Sequence, residues 1–185
     1  MIRWLIFSSL FVSLAAQDFQ WQEASYPEYS SSTRAQVIGY VNGAGAIDDL
    51  LGFSGLGWGL ICEKGHHGLS VYESCVRGQQ EGVTYDSLSL VSANYLYYRD
   101  ATAMNTLYWG LGAGHSVLLP PDAACVARAF KVTPLIGYVY QRYAPIRIMV
   151  QCNLQVLRLC GTPDWLHRKY LFQPSLTCAV GFSLW

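Results

Sequence analysis

The chain has 185 residues, with twelve Lys and Arg balancing twelve Asp and Glu. No basic cluster offers a face to nucleic acid, so that class of partner is excluded. At 52% hydrophobic and 13% charged, with thirteen Tyr and six Trp, the composition is lean in charge for a soluble domain of this size.

Met1-Ile2-Arg3 is a short basic start, Trp4 to Val12 is an apolar run, and Ser13-Leu14-Ala15 is a small-x-small cleavage pattern. Residues 1–16 therefore read as a secretory signal peptide, cleaved after Ala15 or Ala16. Residues 17–34 are polar and read as an irregular lead-in, and residues 35–185 as a single domain. Spanning a bilayer by helix needs roughly 20 apolar residues in a row. Later runs such as Val132 to Tyr140 fall well short and carry Thr, Pro and Gly. Only helices and closed barrels satisfy the backbone in lipid, so an exported, apolar, Tyr-rich chain without such a helix is expected to cross with strands.

Alternation and turn residues predict eight strands, at Ala35–Asn42, Phe53–Cys62, His67–Val76, Ser87–Arg99, Thr106–Leu118, Lys131–Gln141, Ile146–Leu157 and Ser175–Trp185. Short gaps (Glu63 to His66, Asp100 to Asn105, Arg142 to Pro145) alternate with four longer ones, up to Arg158–Pro174. Short turns at one end and long loops at the other predict an all-β fold, an eight-stranded antiparallel up-and-down transmembrane β-barrel with both termini in the periplasm.

Successive strand side chains point to opposite faces, so each strand separates lipid-facing from lumen positions. In the second strand Leu56, Trp58 and Leu60 alternate with Gly55, Gly57 and Gly59. In the fifth, Leu107, Trp109, Leu111 and Ala113 alternate with Tyr108, Gly110, Gly112 and Gly114. The seventh sets Ile148, Val150, Cys152, Leu154 and Val156 against Arg147, Met149, Gln151, Asn153 and Gln155. The eighth sets Leu176, Cys178, Val180, Phe182 and Leu184 against Thr177, Ala179, Gly181 and Ser183. The first set of each pair is expected to face lipid and the second to line the lumen, where small residues suit a narrow barrel. In the fourth strand Val91, Ala93, Tyr95 and Tyr97 are expected outward. Leu135 to Gln141 is apolar on both faces and sets no phase. A buried Arg147 needs a carboxylate, and Glu73 is the strand carboxylate expected to serve. Tyr95, Tyr97, Tyr98, Trp109, Tyr138, Tyr140 and Trp165 are candidates for an interfacial belt.

Over Ala35 to Trp185 this pattern resembles the small eight-stranded outer-membrane barrels of the OmpA and OmpX type. His67-Gly68-Leu69-Ser70, Ala93-Asn94-Tyr95-Leu96-Tyr97-Tyr98 and Tyr108-Trp109-Gly110-Leu111-Gly112-Ala113-Gly114 are similar to segments of small outer-membrane proteins of chlamydia-like bacteria. The resemblance implies a cell outer membrane location, outer-membrane lipid as the surroundings, and a structural or surface-interaction role through the long loops. It implies no particular loop-binding partner. It also implies a C-terminal aromatic residue read by the barrel-assembly machinery, a part that Trp185 can play. Trp185 departs from that pattern by sharing its phase with Gly181 and Ser183 rather than with Phe182 and Leu184.

A few barrels of this size modify lipid A, so catalytic pairs deserve a search. His115-Ser116 are adjacent on a strand and diverge, so they cannot act as base and nucleophile. Asp86-Ser87 reads as turn chemistry, and His66-His67 as a solvated turn. The six cysteines, Cys62, Cys75, Cys125, Cys152, Cys160 and Cys178, show no C-x-x-C spacing, which weighs against a metal site. They admit 15 full pairings, among which the sequence does not choose. No catalytic residue, metal or cofactor is expected. The other readings are a lipid A-modifying enzyme, a narrow channel, and a soluble lipocalin-like barrel with its apolar face inside.

Overall fold

The computed structural model describes residues 35–46, 55–80, 83–119, 126–161 and 169–184. They form β1 (Gln36–Ala46), β2 (Gly55–Lys64), β3 (His67–Gln80), β4 (Val83–Tyr98), β5 (Thr106–Leu119), β6 (Ala127–Tyr140), β7 (Ile146–Leu159) and β8 (Tyr170–Ser183). Each strand pairs antiparallel with the next, and β8 pairs with β1, closing the barrel. Closure leaves no edge whose backbone groups lack partners.

The pairing register sets the barrel's dimensions. The row Gln36, Glu63, Gly68, Leu96, Gly110, Leu135, Asn153, Ser175 returns to β1 at Ala46. From 36 to 46 is a stagger of ten residues. At about 3.3 Å per residue and about 4.8 Å between strands, the tilt is about 41° and the backbone radius about 8 Å. A bore of that width is filled mainly by side chains.

Several local devices hold this geometry. Gly65 has φ 57° and His66 does not have positive φ, the sign pattern of a type II′ turn that matches the twist of the flanking strands. Asp100 Oδ1 accepts bonds from the amides of Thr102 (2.8 Å) and Ala103 (3.1 Å), which shapes the β4–β5 turn. In β4, Leu90 is an extra residue, because Ser89 pairs with Ser116 and Val91 with His115. This bulge flips the phase of the strand. Tyr85, Ser87 and Ser89 point inward before it, and Ser92, Asn94 and Leu96 after it.

The strands run longer than their alternation predicts. β8 begins at Tyr170 rather than Ser175, β6 at Ala127 rather than Lys131, and β4 at Val83 rather than Ser87. One expected long loop is thereby corrected: β3 and β4 are joined by residues 81–82 alone, because both strands extend past the level where alternation fades. The connections at residues 47–54, 120–126 and 160–169 remain the longer ones at that end.

Candidate functional site

The outer face is a continuous apolar band. Leu56, Trp58, Leu60, Trp109, Leu111, Ile148, Cys152, Leu154, Val180, Phe182 and Leu184 are exposed there, with Val150 and Val156 half-exposed in the same phase. β6 adds Ile136, Tyr138 and Tyr140, which settles the phase the sequence left open. From Ile146 to Val156 is ten steps, about 33 Å of strand and about 25 Å along the barrel axis at this tilt. Beyond the band toward the longer connections stand Arg128, Arg158 and the Arg77–Asp86 ion pair at 3.0 Å. Tyr95, Tyr97, Trp109, Tyr138 and Tyr140 gather on the outer face toward the short turns, where Tyr97 and Trp109 lie 5.1 Å apart. Tyr98 is corrected from this group. Its phase is inward, and it is buried inside the barrel. Trp165 and Trp185 lie outside the described residues, as do Cys125 and residues 1–34.

The interior is layered. Across the short-turn end lies an ionic lock. Arg147 donates to Glu63 Oε1 at 2.9 Å and to Gln36 Oε1 at 3.1 Å. Arg142 donates to the same Glu63 oxygen at 3.2 Å, to the Gly65 carbonyl at 2.7 Å and to the Asp100 carbonyl at 3.2 Å. Its guanidinium also sits 3.6 Å from the Tyr98 ring centroid. One side chain thus ties all three short turns together, since Arg142 itself belongs to the third. Glu63, Arg142 and Arg147 are fully enclosed.

Glu73 does not take part. Gly68, Ser70, Ser74, Val76 and Gly78 are the buried positions of β3, so Glu73 falls in the opposite phase and is exposed on the outer face. The carboxylate that serves is Glu63, the last inward position of β2.

Above the lock, Ile38, Tyr40, Ile61, Leu96, Tyr98, Tyr108, Leu135, Val139, Met149 and Ala179 form an apolar plug. Two tyrosines of this plug need glycine opposite them. Tyr40 pairs with Gly59 and Tyr108 with Gly137, and a Cβ at either glycine would collide with the facing phenol ring.

The middle of the bore is polar. Asn153, Gln155 and Thr177 are buried and Gln151 half-buried. Tyr108 donates to Gln151 at 3.1 Å, Gln151 donates to Asn153, and Asn153 donates to Thr177 at 2.9 Å. Gly57 and Gly110 are half-exposed in the inward phase, while Gly112 and Gly181 are buried and Ser183 half-buried. A cavity of about 40 Å³ lies here, lined in part by Asn42, Asn94, Thr133 and Gln155. Each of those four presents a buried oxygen without a protein partner, and the space suits a few waters.

Higher still, Lys131 is completely buried, donating to Ser89 Oγ at 2.6 Å and Tyr72 OH at 3.1 Å. Tyr85, Leu118, Ala127, Ala129, Leu157, Leu159 and Leu171 then close the end toward the longer connections. Buried apolar side chains thus pack inside the barrel on either side of its polar middle.

The candidate catalytic pairs come apart in space. His115 is exposed outside and Ser116 buried inside. Asp86 is engaged by Arg77 on the outer face, while Ser87 points inward. His66 bonds the Tyr98 carbonyl at 2.8 Å and stacks on Tyr97, whereas His67 meets the Tyr95 hydroxyl. Among the described residues, no three His, Cys, Asp or Glu side chains gather to hold a metal ion. Cys62, Cys75, Cys152, Cys160 and Cys178 are free thiols.

Sequence reasoning missed Glu63, Arg142 and Lys131. Glu63 shares the phase of Gly59 and Ile61, and Lys131 that of Thr133. Carrying the second strand one residue further would have placed Glu63 inside, whereas Lys131 already opened the predicted sixth strand and was missed because that strand's phase stayed open.

No protein-family model matches the chain, and no curated protein sequence does. Solved structures do match. Neisserial surface protein A (NspA) aligns with 81% of this chain and 96% of its own, at 10% identity and a TM-score of 0.53. The N-terminal β-barrel domain of Pseudomonas aeruginosa OprF aligns with 82% and 98%, at 11% identity and a TM-score of 0.51. The fold is that of small eight-stranded outer-membrane barrels.

Proposed function

We propose that this protein resides in a bacterial outer membrane as a non-catalytic barrel, with a structural or surface-interaction role carried by its longer connections. One observation carries the reading. A closed barrel turns a 25 Å-scale apolar band outward and encloses Glu63, Lys131, Arg142 and Arg147. A soluble ligand-binding barrel needs the opposite sidedness, with an apolar interior and a hydrated exterior. The likeness to two outer-membrane barrels supports the same location.

On this reading Leu56, Trp58, Leu60, Trp109, Leu111, Ile148, Val150, Cys152, Leu154, Val156, Val180, Phe182 and Leu184 contact lipid. Residues 1–16 direct export, and Trp185 is read by the barrel-assembly machinery during insertion. The enclosed bore argues against a channel, and the divergence of His115 and Ser116 against acyl transfer. The test is outer-membrane fractionation with heat-modifiable gel mobility. The protein is expected in the outer-membrane fraction, with folded and boiled forms migrating differently. Recovery in a detergent-free soluble fraction refutes the reading.

A further inference from the structure

Among the described residues, two polar side chains interrupt the outer band, and they occupy one row of the sheet. Glu73 stands opposite the β4 bulge, where Leu90 and Val91 share one place in the ladder. Val91 pairs in turn with His115 on β5. Both Glu73 and His115 are exposed. Among the described residues no cation lies within ion-pair distance of Glu73. The His115 ring touches Phe130 edge-on at 5.7 Å and pairs with no carboxylate among the described residues. Glu73 falls within the band, since Trp58 and Val71 flank it and the charged rim begins at Arg77. An ionisable group in hydrocarbon is costly unless it finds a partner.

We infer that the β3–β5 face is a self-association surface, on which Glu73 of one copy pairs with His115 of a second copy and the reverse. This rests on the outer-membrane reading above. The geometry is self-complementary. Glu73 and His115 flank β4 at about two interstrand spacings, roughly 10 Å. A two-fold axis along the membrane normal, passing outside the bulge, carries each onto the side occupied by the other, as an isologous interface requires. The tilt offsets the two in height by about 6 Å, which two extended side chains can span. Beside the bulge, Ala93 pairs with Ala113, and both are exposed. Small residues at that spot let two barrels approach closely. In that water-poor contact a carboxylate and an imidazole N–H interact more strongly than they would in water.

The test uses the full barrel in lipid bilayers, with insertion verified first by heat-modifiable mobility. A photoreactive residue in place of Leu90 is expected to give a covalent dimer. The same residue in place of Leu176, on β8 across the barrel, is expected to give none. Glu73→Gln removes both reciprocal pairs and should weaken dimerisation about a hundredfold, tenfold per pair. Exchanging the partners, Glu73→His with His115→Glu, should restore it. An inserted protein that stays monomeric, or a dimer indifferent to Glu73→Gln, overturns this inference alone. A chain that does not insert overturns the membrane reading and this inference with it.

Discussion

Replacing Glu63 by Gln tests the ionic lock most directly. The amide keeps the size of the side chain but removes the carboxylate shared by two buried guanidinium groups. Arg142 retains the carbonyls of Gly65 and Asp100 and the ring of Tyr98. Arg147 retains only Gln36, and its Nε already lacks a partner. Breaking a buried pair by removing one member costs about 3–5 kcal/mol, because the remaining charge is left uncompensated. With a slope of about 2 kcal/mol per molar urea, a loss of about 4 kcal/mol lowers the unfolding midpoint by about 2 M. Urea titration of the barrel in lipid vesicles, followed by tryptophan fluorescence and gel mobility, measures this. Combining Glu63→Gln with Arg147→Met should recover a large part of the loss, since the stranded charge goes with it. A loss under about 1 kcal/mol for Glu63→Gln, or a double variant worse than the single, refutes the lock.

Val150→Arg, inside the outer band, should cost about 2–4 kcal/mol in the same titration, and Ile146→Arg at the band's edge about 0–1 kcal/mol; equal costs would count against a depth gradient. Gly137→Ala should cost about 1–3 kcal/mol by forcing the Tyr108 ring aside, and Tyr108→Ala in the double variant should remove the ring clash but not the contact with the Val150 carbonyl at 2.8 Å. The amides and hydroxyl of Thr102 and the amide of Ala103 hold the Asp100 carboxyl below its ordinary 3.8. Its contribution to the turn is therefore complete above pH 3.8 and lost as pH falls through the lowered value, which a carboxyl NMR titration reads and a midpoint at or above 3.8 contradicts. An epitope tag at Asp164, in the β7–β8 connection, should be reached by antibody on intact cells, whereas one at Ala101 in the β4–β5 turn should not; the reverse pattern inverts the topology.

The strands that could be read from sequence are those whose inward face is small or polar. β2 and β5 set glycine against Leu and Trp, and β7 sets Gln151, Asn153 and Gln155 against Ile148, Val150 and Leu154. Alternation fails where the interior itself is apolar. Leu135 and Val139 belong to the plug near the short turns, so β6 is greasy on both faces and its phase is silent. Leu157, Leu159 and Leu171 belong to the opposite cap, which hides the end of β7 and the start of β8. Pro174 adds to the concealment, since proline inside a strand reads as a break. The β4 bulge is invisible for a different reason. One extra Leu90 among Ser, Leu, Val and Ser changes the phase without changing the composition.

The lock was missed because charges beside a turn are ordinarily solvated, and only a barrel this narrow turns them inward and encloses them. Among the described residues the fully buried charged side chains are one acid, Glu63, and three bases, Lys131, Arg142 and Arg147. The acid satisfies two of the bases at the short-turn end. Lys131, higher in the bore, has hydroxyl groups and the Tyr72 ring instead of a carboxylate. A small cation entering from either end would meet tightly packed side chains, then basic groups outnumbering acids. A small anion would meet the apolar cap of Leu118, Leu157 and Leu171 at one end and the Ile38–Val139–Met149 plug at the other. On the proposed reading, sterics and charge together disfavour a channel. Breaking the lock alone leaves the apolar layers in place, so Glu63→Gln should loosen the barrel without opening it.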